Sequence, residues 1–303
     1  MNMAILILSA LLAADPLGPG DYTRTLQHGG RTRSYLVHVP PHYDAKQPTP
    51  VVLAFHGGGA NAEQMVRFCG LNKTADQEGF LAVYPNGSGQ IERMLTWNAG
   101  NCCGYAVEKK VDDVGFVGAL LDDLRGVARV DAKRVYATGM SNGSIMAYRL
   151  ASEMSDRIAA IAPVSGPMGT AACNPKRPVS VMHFHGSDDR FAPFQGGKGT
   201  KSVSQTDFYS VDYSIHAWVK ANDCPEKPKT EKLPSKAGDD TTVEKKTYGP
   251  GKEESEVILV TINGGGHTWP GRQPLLAGYF GKSSKSISAN ELMWEFFKRH
   301  PMK

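Results

Sequence analysis

The sequence predicts an α/β fold with a mostly parallel central sheet and helices on both of its faces. Three observations predict it. Short apolar runs such as residues 49–55 (TPVVLAF) and 256–262 (EVILVTI) lack polar alternation, as strands buried on both faces do. Helix-compatible segments alternate with these runs, and parallel crossovers need that order. Residues 134–151 (RVYATGMSNGSIMAYRLA) read as strand, tight turn and helix, with Ser141 at the apex between Gly139 and Gly143.

Taken in order, residues 4–14 are an apolar run of signal-peptide length ending in small residues before Asp15-Pro16, which predicts a cleaved leader over 1–14 and export. Residues 34–39 (SYLVHV) alternate and stop at Pro40-Pro41, as an edge strand would. Residues 49–55 read as a buried central strand that runs directly into His56-Gly57-Gly58-Gly59. Residues 63–79 read as a helix and 80–84 (FLAVY) as a strand closed by Pro85-Asn86-Gly87. Residues 96–104 (TWNAGNCCG) form a loop of the kind that carries function or holds a disulfide. Asp112-Asp113 opens a helix with Val114, Val117, Leu120, Leu121 and Leu124 on its apolar side. Capping of the helix start explains that acidic pair better than acid–base chemistry.

Beyond the central turn, strands are expected over 158–164, ending at Ser165-Gly166, and over 178–184, ending at His185-Gly186-Ser187-Asp188-Asp189. Residues 211–220 read as a helix and the polar stretch 225–255 as a solvated hairpin. The strand at 256–262 delivers the chain into Gly264-Gly265-Gly266-His267-Thr268-Trp269-Pro270-Gly271, and residues 289–299 make the last helix. With no repeats and no linker, residues 15–303 read as a single domain.

The chemistry is carried by what stands at the strand ends. A serine at the apex of G-x-S-x-G must take a strained backbone so that its hydroxyl projects above the sheet, and its neighbours must carry almost no side chain. The glycine run at 57–59 can aim backbone N–H groups at a bound oxyanion. Ser141, an aspartate of the Asp188-Asp189 pair and His267 follow in the order nucleophile, acid, base, each after a strand. The oxyanion donors expected are the N–H groups of Gly58 and Asn142. His185, at a strand terminus, reads as a packing or hydrogen-bonding residue. Trp97 and Trp269 are expected to line the acyl site with their aromatic faces.

Composition excludes other classes. The apolar fraction of 41% and charged fraction of 21% are ordinary for a globular protein. The net charge of +4 comes without a basic block interleaved with aromatics, so nucleic acid is not an expected partner. No apolar run reaches the roughly 18–20 residues of a membrane span. No metal or organic cofactor is expected. The five cysteines, Cys69, Cys102, Cys103, Cys173 and Cys224, lack metal-site spacing. An adjacent pair does not easily close on itself, so the expected bridge joins one of Cys102 or Cys103 to Cys173.

Together the motifs HGGG at 56–59, GLNKTADQEGF at 70–80, WNAGNCCG at 97–104, VDDVGF at 111–116, GMSNG at 139–143, HGSDD at 185–189 and GGGHTWPG at 264–271 resemble the secreted polyhydroxybutyrate depolymerase/feruloyl esterase group (carbohydrate esterase family 1, with the LpqC-like proteins). The resemblance implies an α/β-hydrolase fold and a serine esterase. In its HG-x-x-D pattern the acid is Asp189 rather than Asp188, and the base is His267. The implied substrates are feruloyl or acetyl esters of plant polysaccharide, with a short-chain polyester as runner-up. A non-catalytic binding protein on the same scaffold is the alternative of another class.

Overall fold

The computed structural model describes residues 16–274 and 276–303; the expected leader, residues 1–14, lies outside them. Among these residues twelve strands occur in chain order: β1 (Gly20–His28), β2 (Arg31–Val39), β3 (Thr49–Phe55), β4 (Leu81–Pro85), β5 (Val130–Met140), β6 (Ala160–Val164), β7 (Ser180–Gly186), β8 (Gly197–Lys198), β9 (Asp207–Phe208), β10 (Lys229–Leu233), β11 (Thr242–Tyr248) and β12 (Val257–Asn263). The helices are α1 (Ala62–Cys69), α2 (Leu71–Glu78), α3 (Gly104–Glu108), α4 (Asp113–Val127), α5 (Asn142–Glu153), α6 (Val211–Ala221), α7 (Ala277–Phe280) and α8 (Ala289–Arg299).

Ten strands form one sheet in the order β1-β2-β4-β3-β5-β6-β7-β12-β11-β10. The six from β4 to β12 in that order run parallel, and antiparallel pairs, β1 with β2 and β11 with β10, flank them. Every residue of β3, β4, β6 and β7 is buried, as the unbroken apolar runs predict. Alternate residues supply two cores. Val51, Leu53 and Phe55 face α4, α5 and α6, while Val52 and Ala54 face α1, α2 and α8. The helices therefore cover both faces, and the parallel strands all deliver their carboxyl ends to one edge.

Three expectations change. The strand at 34–39 is not the edge: β1, with no continuous apolar face, pairs outside it. The helix expected over 63–79 is two, broken where Gly70 takes φ 61° and caps α1. The polar stretch 225–255 is a hairpin as expected, yet its strands extend the sheet, and β10 (KTEKL) forms the opposite edge.

Asp112 caps α4, accepting from Gly115 N at 2.9 Å, as its position predicts. Asp113 does something else. Its side chain is fully buried and ion-pairs with Arg33 at 2.7 Å, an arginine on the inward register of β2 whose guanidinium lies 3.9 Å over the Phe116 ring. Burial pushes the Asp113 carboxyl up and the Arg33 guanidinium down, each against the attraction of the other. Such a pair adds little net stability but is costly to break. Its use is positional, since the other carboxylate oxygen of Asp113 accepts from Asn98 N at 2.8 Å and so fixes the 96–104 loop. Asp113→Ala, which leaves Arg33 buried and unpaired, is expected to lower the urea unfolding free energy by about 3–5 kcal/mol. Arg33→Met/Asp113→Leu together is expected to lose much less.

Candidate active site

β5 ends at Met140 and α5 begins at Asn142; between them Ser141 has φ 56° and ψ −120°. This is a conformation that costs a non-glycine residue about 1–3 kcal/mol and persists only where the surroundings impose it. They do. Ser141 N donates to Val164 O of β6 at 2.9 Å, and Ile145 N donates to Ser141 O at 3.1 Å. A Cβ on Gly139 would come within 2.5 Å of the Gly143 carbonyl, and one on Gly143 would collide with Phe55 O. The two glycines are thus required by the crossing of three backbone segments.

The glycine loop after β3 lies against this turn: a Cβ on Gly57 would sit 3.5 Å from Ser141 Cβ. Buried His56 braces the loop, with Nδ1 donating to Gly57 O at 2.8 Å and Nε2 accepting from Gly87 N at 3.0 Å. Burial holds its imidazole down at about 4, so the ring is neutral, as this pattern of bonds requires. Gly59 N–H is committed to Leu95 O at 2.9 Å. The N–H groups of Gly57, Gly58 and Asn142 have no hydrogen-bond acceptor among the described residues.

The Asn142 side chain holds the neighbouring loop. It accepts from Trp97 N at 2.7 Å and donates to Trp97 O at 3.1 Å, while Asn98 O receives Arg149 at 2.6 Å. Trp97 itself corrects an expectation. Its side chain is 0% exposed, its indole N–H donates to His56 O at 3.0 Å, and it packs edge-on to Phe55. It cannot present a face to substrate. Trp269 is likewise buried, with its indole N–H on Asn290 Oδ1 at 2.9 Å. Both tryptophans are placed by the partners their N–H groups find, which spacing in the sequence does not show.

Asp189 and His267 meet. His267 Nδ1 lies 2.7 Å from Asp189 Oδ2, both side chains nearly out of solvent. Asp189 Oδ1 accepts from Phe191 N at 2.8 Å and Ala192 N at 3.0 Å. Burial pushes the carboxyl up, but the charge and hydrogen bond of His267 outweigh it and hold Asp189 below the usual range. Asp188 is exposed, and among the described residues its carboxylate accepts only from Ser187 Oγ at 2.7 Å. The sheet order β5-β6-β7-β12 sets Ser141, Asp189 and His267 along one edge, and Ser165 Oγ, donating to Thr268 O at 3.4 Å, ties the His267 loop to the strand between.

The sequence reading missed Phe191, which stacks on the His267 ring at 4.8 Å between centroids and meets Tyr279 edge-on at 5.2 Å. Nothing in its spacing marks it beyond standing two residues after Asp189. Its neighbour segment holds the histidine too: His267 N donates to Phe280 O at 2.7 Å. Among the described residues no group of His, Cys, Asp and Glu has metal-holding geometry.

The expected bridge to Cys173 does not form. Cys102 pairs with Cys103, and Cys69, Cys173 and Cys224 are free. The loop there is held by Ala99 N on Cys102 O at 2.9 Å and Cys103 N on Trp97 O at 3.1 Å.

Asn142→Ala keeps the backbone N–H beside Ser141 but leaves Trp97 N unpartnered, while Trp97 O keeps Cys103 N at 3.1 Å. It is expected to cost about 1–3 kcal/mol in chemical denaturation.

A family model described as esterase PHB depolymerase matches residues 33–202. NocK of Nocardia uniformis subsp. tsuyamanensis is 32% identical over 88% of this chain and 79% of its own length. Feruloyl esterase B of Piromyces equi is 28% identical over 78% of this chain, which spans 42% of that protein. The solved acetyl xylan esterase from Aspergillus awamori superposes with a TM-score of 0.59 at 16% identity, covering 86% of this chain and 99% of its own, a likeness of fold.

Proposed function

The chain belongs to the esterase PHB depolymerase family of α/β-hydrolase carboxylic ester hydrolases, and on that premise we propose that Ser141 is its nucleophile, His267 its general base and Asp189 its acid. The observation that carries this reading is the 2.7 Å bond between His267 Nδ1 and Asp189 Oδ2, on the same sheet edge as a serine held at φ 56°. With Nδ1–H donated to the carboxylate, Nε2 is the basic nitrogen. It takes the Ser141 proton as the oxygen attacks the ester carbonyl. The N–H groups of Gly58 and Asn142 receive the oxyanion, a role for which neither has a competing acceptor. The imidazolium returns its proton to the departing alcohol. Water, deprotonated by the same nitrogen, then cleaves the acyl-enzyme and frees the acid and Ser141.

The substrate proposed is a feruloyl or acetyl ester of plant polysaccharide. Relatives named for feruloyl and acetylxylan ester cleavage support it, and Phe191 and Tyr279 set aromatic surface beside His267 where the two buried tryptophans cannot. A short-chain polyester is the second reading. The family's description favours it, as do Met94 and Leu276, exposed at 59% and 61% near the glycine loop and the His267 segment. Action outside the cell is part of the proposal, and among the described residues no helix is long and apolar enough to cross a membrane.

The test compares wild type with Ser141→Ala on p-nitrophenyl acetate and butyrate, methyl ferulate, acetylated xylan and a polyhydroxybutyrate suspension. Wild type should turn over some of these, and Ser141→Ala should be slower by roughly a thousandfold or more. Methyl ferulate against the polyester decides between the two substrates. Equal inertness of both proteins on every ester would leave a binding protein on a hydrolase scaffold.

A further inference from the structure

Beside Asp189, three buried side chains stand in a hydrogen-bonded file that ester hydrolysis does not itself call for. Tyr148 Oη lies 3.0 Å from His183 Nδ1, and His183 Nε2 lies 2.9 Å from His185 Nδ1. His185 Nε2 lies 2.7 Å from Ala192 O and 3.4 Å from Asp189 Oδ2. Tyr148 and His183 are 0% exposed and His185 1%. Burial lowers both imidazoles, His183 well below its ordinary range, so each is neutral with one donor and one acceptor.

Neutrality and one carbonyl fix every proton in the file. Ala192 O can only accept, so His185 Nε2 carries a proton and Nδ1 must accept. His183 Nε2 therefore donates, its Nδ1 accepts, and Tyr148 supplies the hydroxyl proton. The outcome is a single N–H given to the Ala192 carbonyl, with the Asp189 carboxylate 3.4 Å from the same nitrogen. Ala192 in turn donates its own N–H to Asp189 Oδ1 at 3.0 Å. His185 thus holds the Asp189–Ala192 turn through its carbonyl and faces the carboxylate oxygen that His267 uses. The file starts in α5, the helix that follows Ser141, so the nucleophile's helix and the acid's loop are joined through the core.

We propose that Tyr148, His183 and His185 are positioning residues for catalysis, which orient Asp189 and disperse its charge so that His267 meets a fixed, moderated carboxylate. The proposal rests on the assignment of Asp189 and His267 as acid and base. The titratable groups facing the file are Asp189 and His267 at one end and Cys173 beside Tyr148 at the other. Removing an N–H dipole from beside a carboxylate leaves its charge less moderated and strengthens its hold on a neighbouring imidazolium. Losing the file should therefore move the protonation of His267 to higher pH.

The test uses His185→Leu, His185→Gln and Tyr148→Phe in the full chain, with two readouts. In the pH profile of kcat/KM on p-nitrophenyl acetate, His185→Leu should shift the acid limb upward and lower kcat about tenfold with KM nearly unchanged, the pattern of a displaced acid rather than lost binding. His185→Gln, which keeps an N–H donor, should recover most of both. In parallel, the NMR titration midpoint of the His267 ring should rise in His185→Leu. That readout needs no turnover, so a chain inert on every ester overturns the esterase reading and still leaves the file testable. A midpoint that stays or falls in folded His185→Leu overturns the proposal. Should that variant not fold, Tyr148→Phe, which removes one oxygen, decides by the same shift, and an unmoved midpoint is then the overturning result.

Discussion

At the turn around Ser141 the end of β3, the end of β5 and the first turn of α5 approach so closely that there is no volume for a Cβ on Gly139 or Gly143. The rest of the site depends on this contact. It imposes the strained serine, brings the glycine loop against it, and places the first N–H groups of α5 where a developing negative charge would find them. Strain of this kind survives because many well-formed elements share it, here the buried strands on either side and the helices that cover both faces.

Polar side chains in the core of this protein serve geometry more than stability. His56, Asn142, Asp113 and His185 each sit out of solvent, and each is satisfied by backbone groups of loops at the carboxyl edge. A buried polar group without its partners is expensive, so each of these bonds permits few alternative loop conformations. The chain uses that intolerance to hold loops with the definition of secondary structure. Asn142 shows this most clearly, since its backbone lies beside Ser141 and its side chain clamps Trp97.

Much of the fold was legible because its signals are local. β3 and α8 fall at the predicted residues, since an unbroken apolar run and an amphipathic repeat each end at clear punctuation. The order serine, aspartate, histidine was legible because each residue follows a strong strand. What escaped reading depends on contacts distant in sequence. β1 has neither a continuous apolar face nor a turn motif stronger than Gly29-Gly30, and it becomes a strand by pairing with β2. Trp97 and Trp269 look alike in sequence to aromatic platforms, and only the partners of their N–H groups show them facing inward.

The far edge of the sheet carries a separate consequence. β10 presents Lys229, Glu231 and Lys232 along a strand with no partner on its outer side among the described residues, and Lys245 of β11 reaches across to Glu231. An open strand is a template for any extended chain that can match its register. Here an incoming strand would have to desolvate fixed charges of both signs before forming its first backbone bond. Copies of the protein crowded together therefore have little to gain by zippering edge to edge, and the sheet keeps its ten strands.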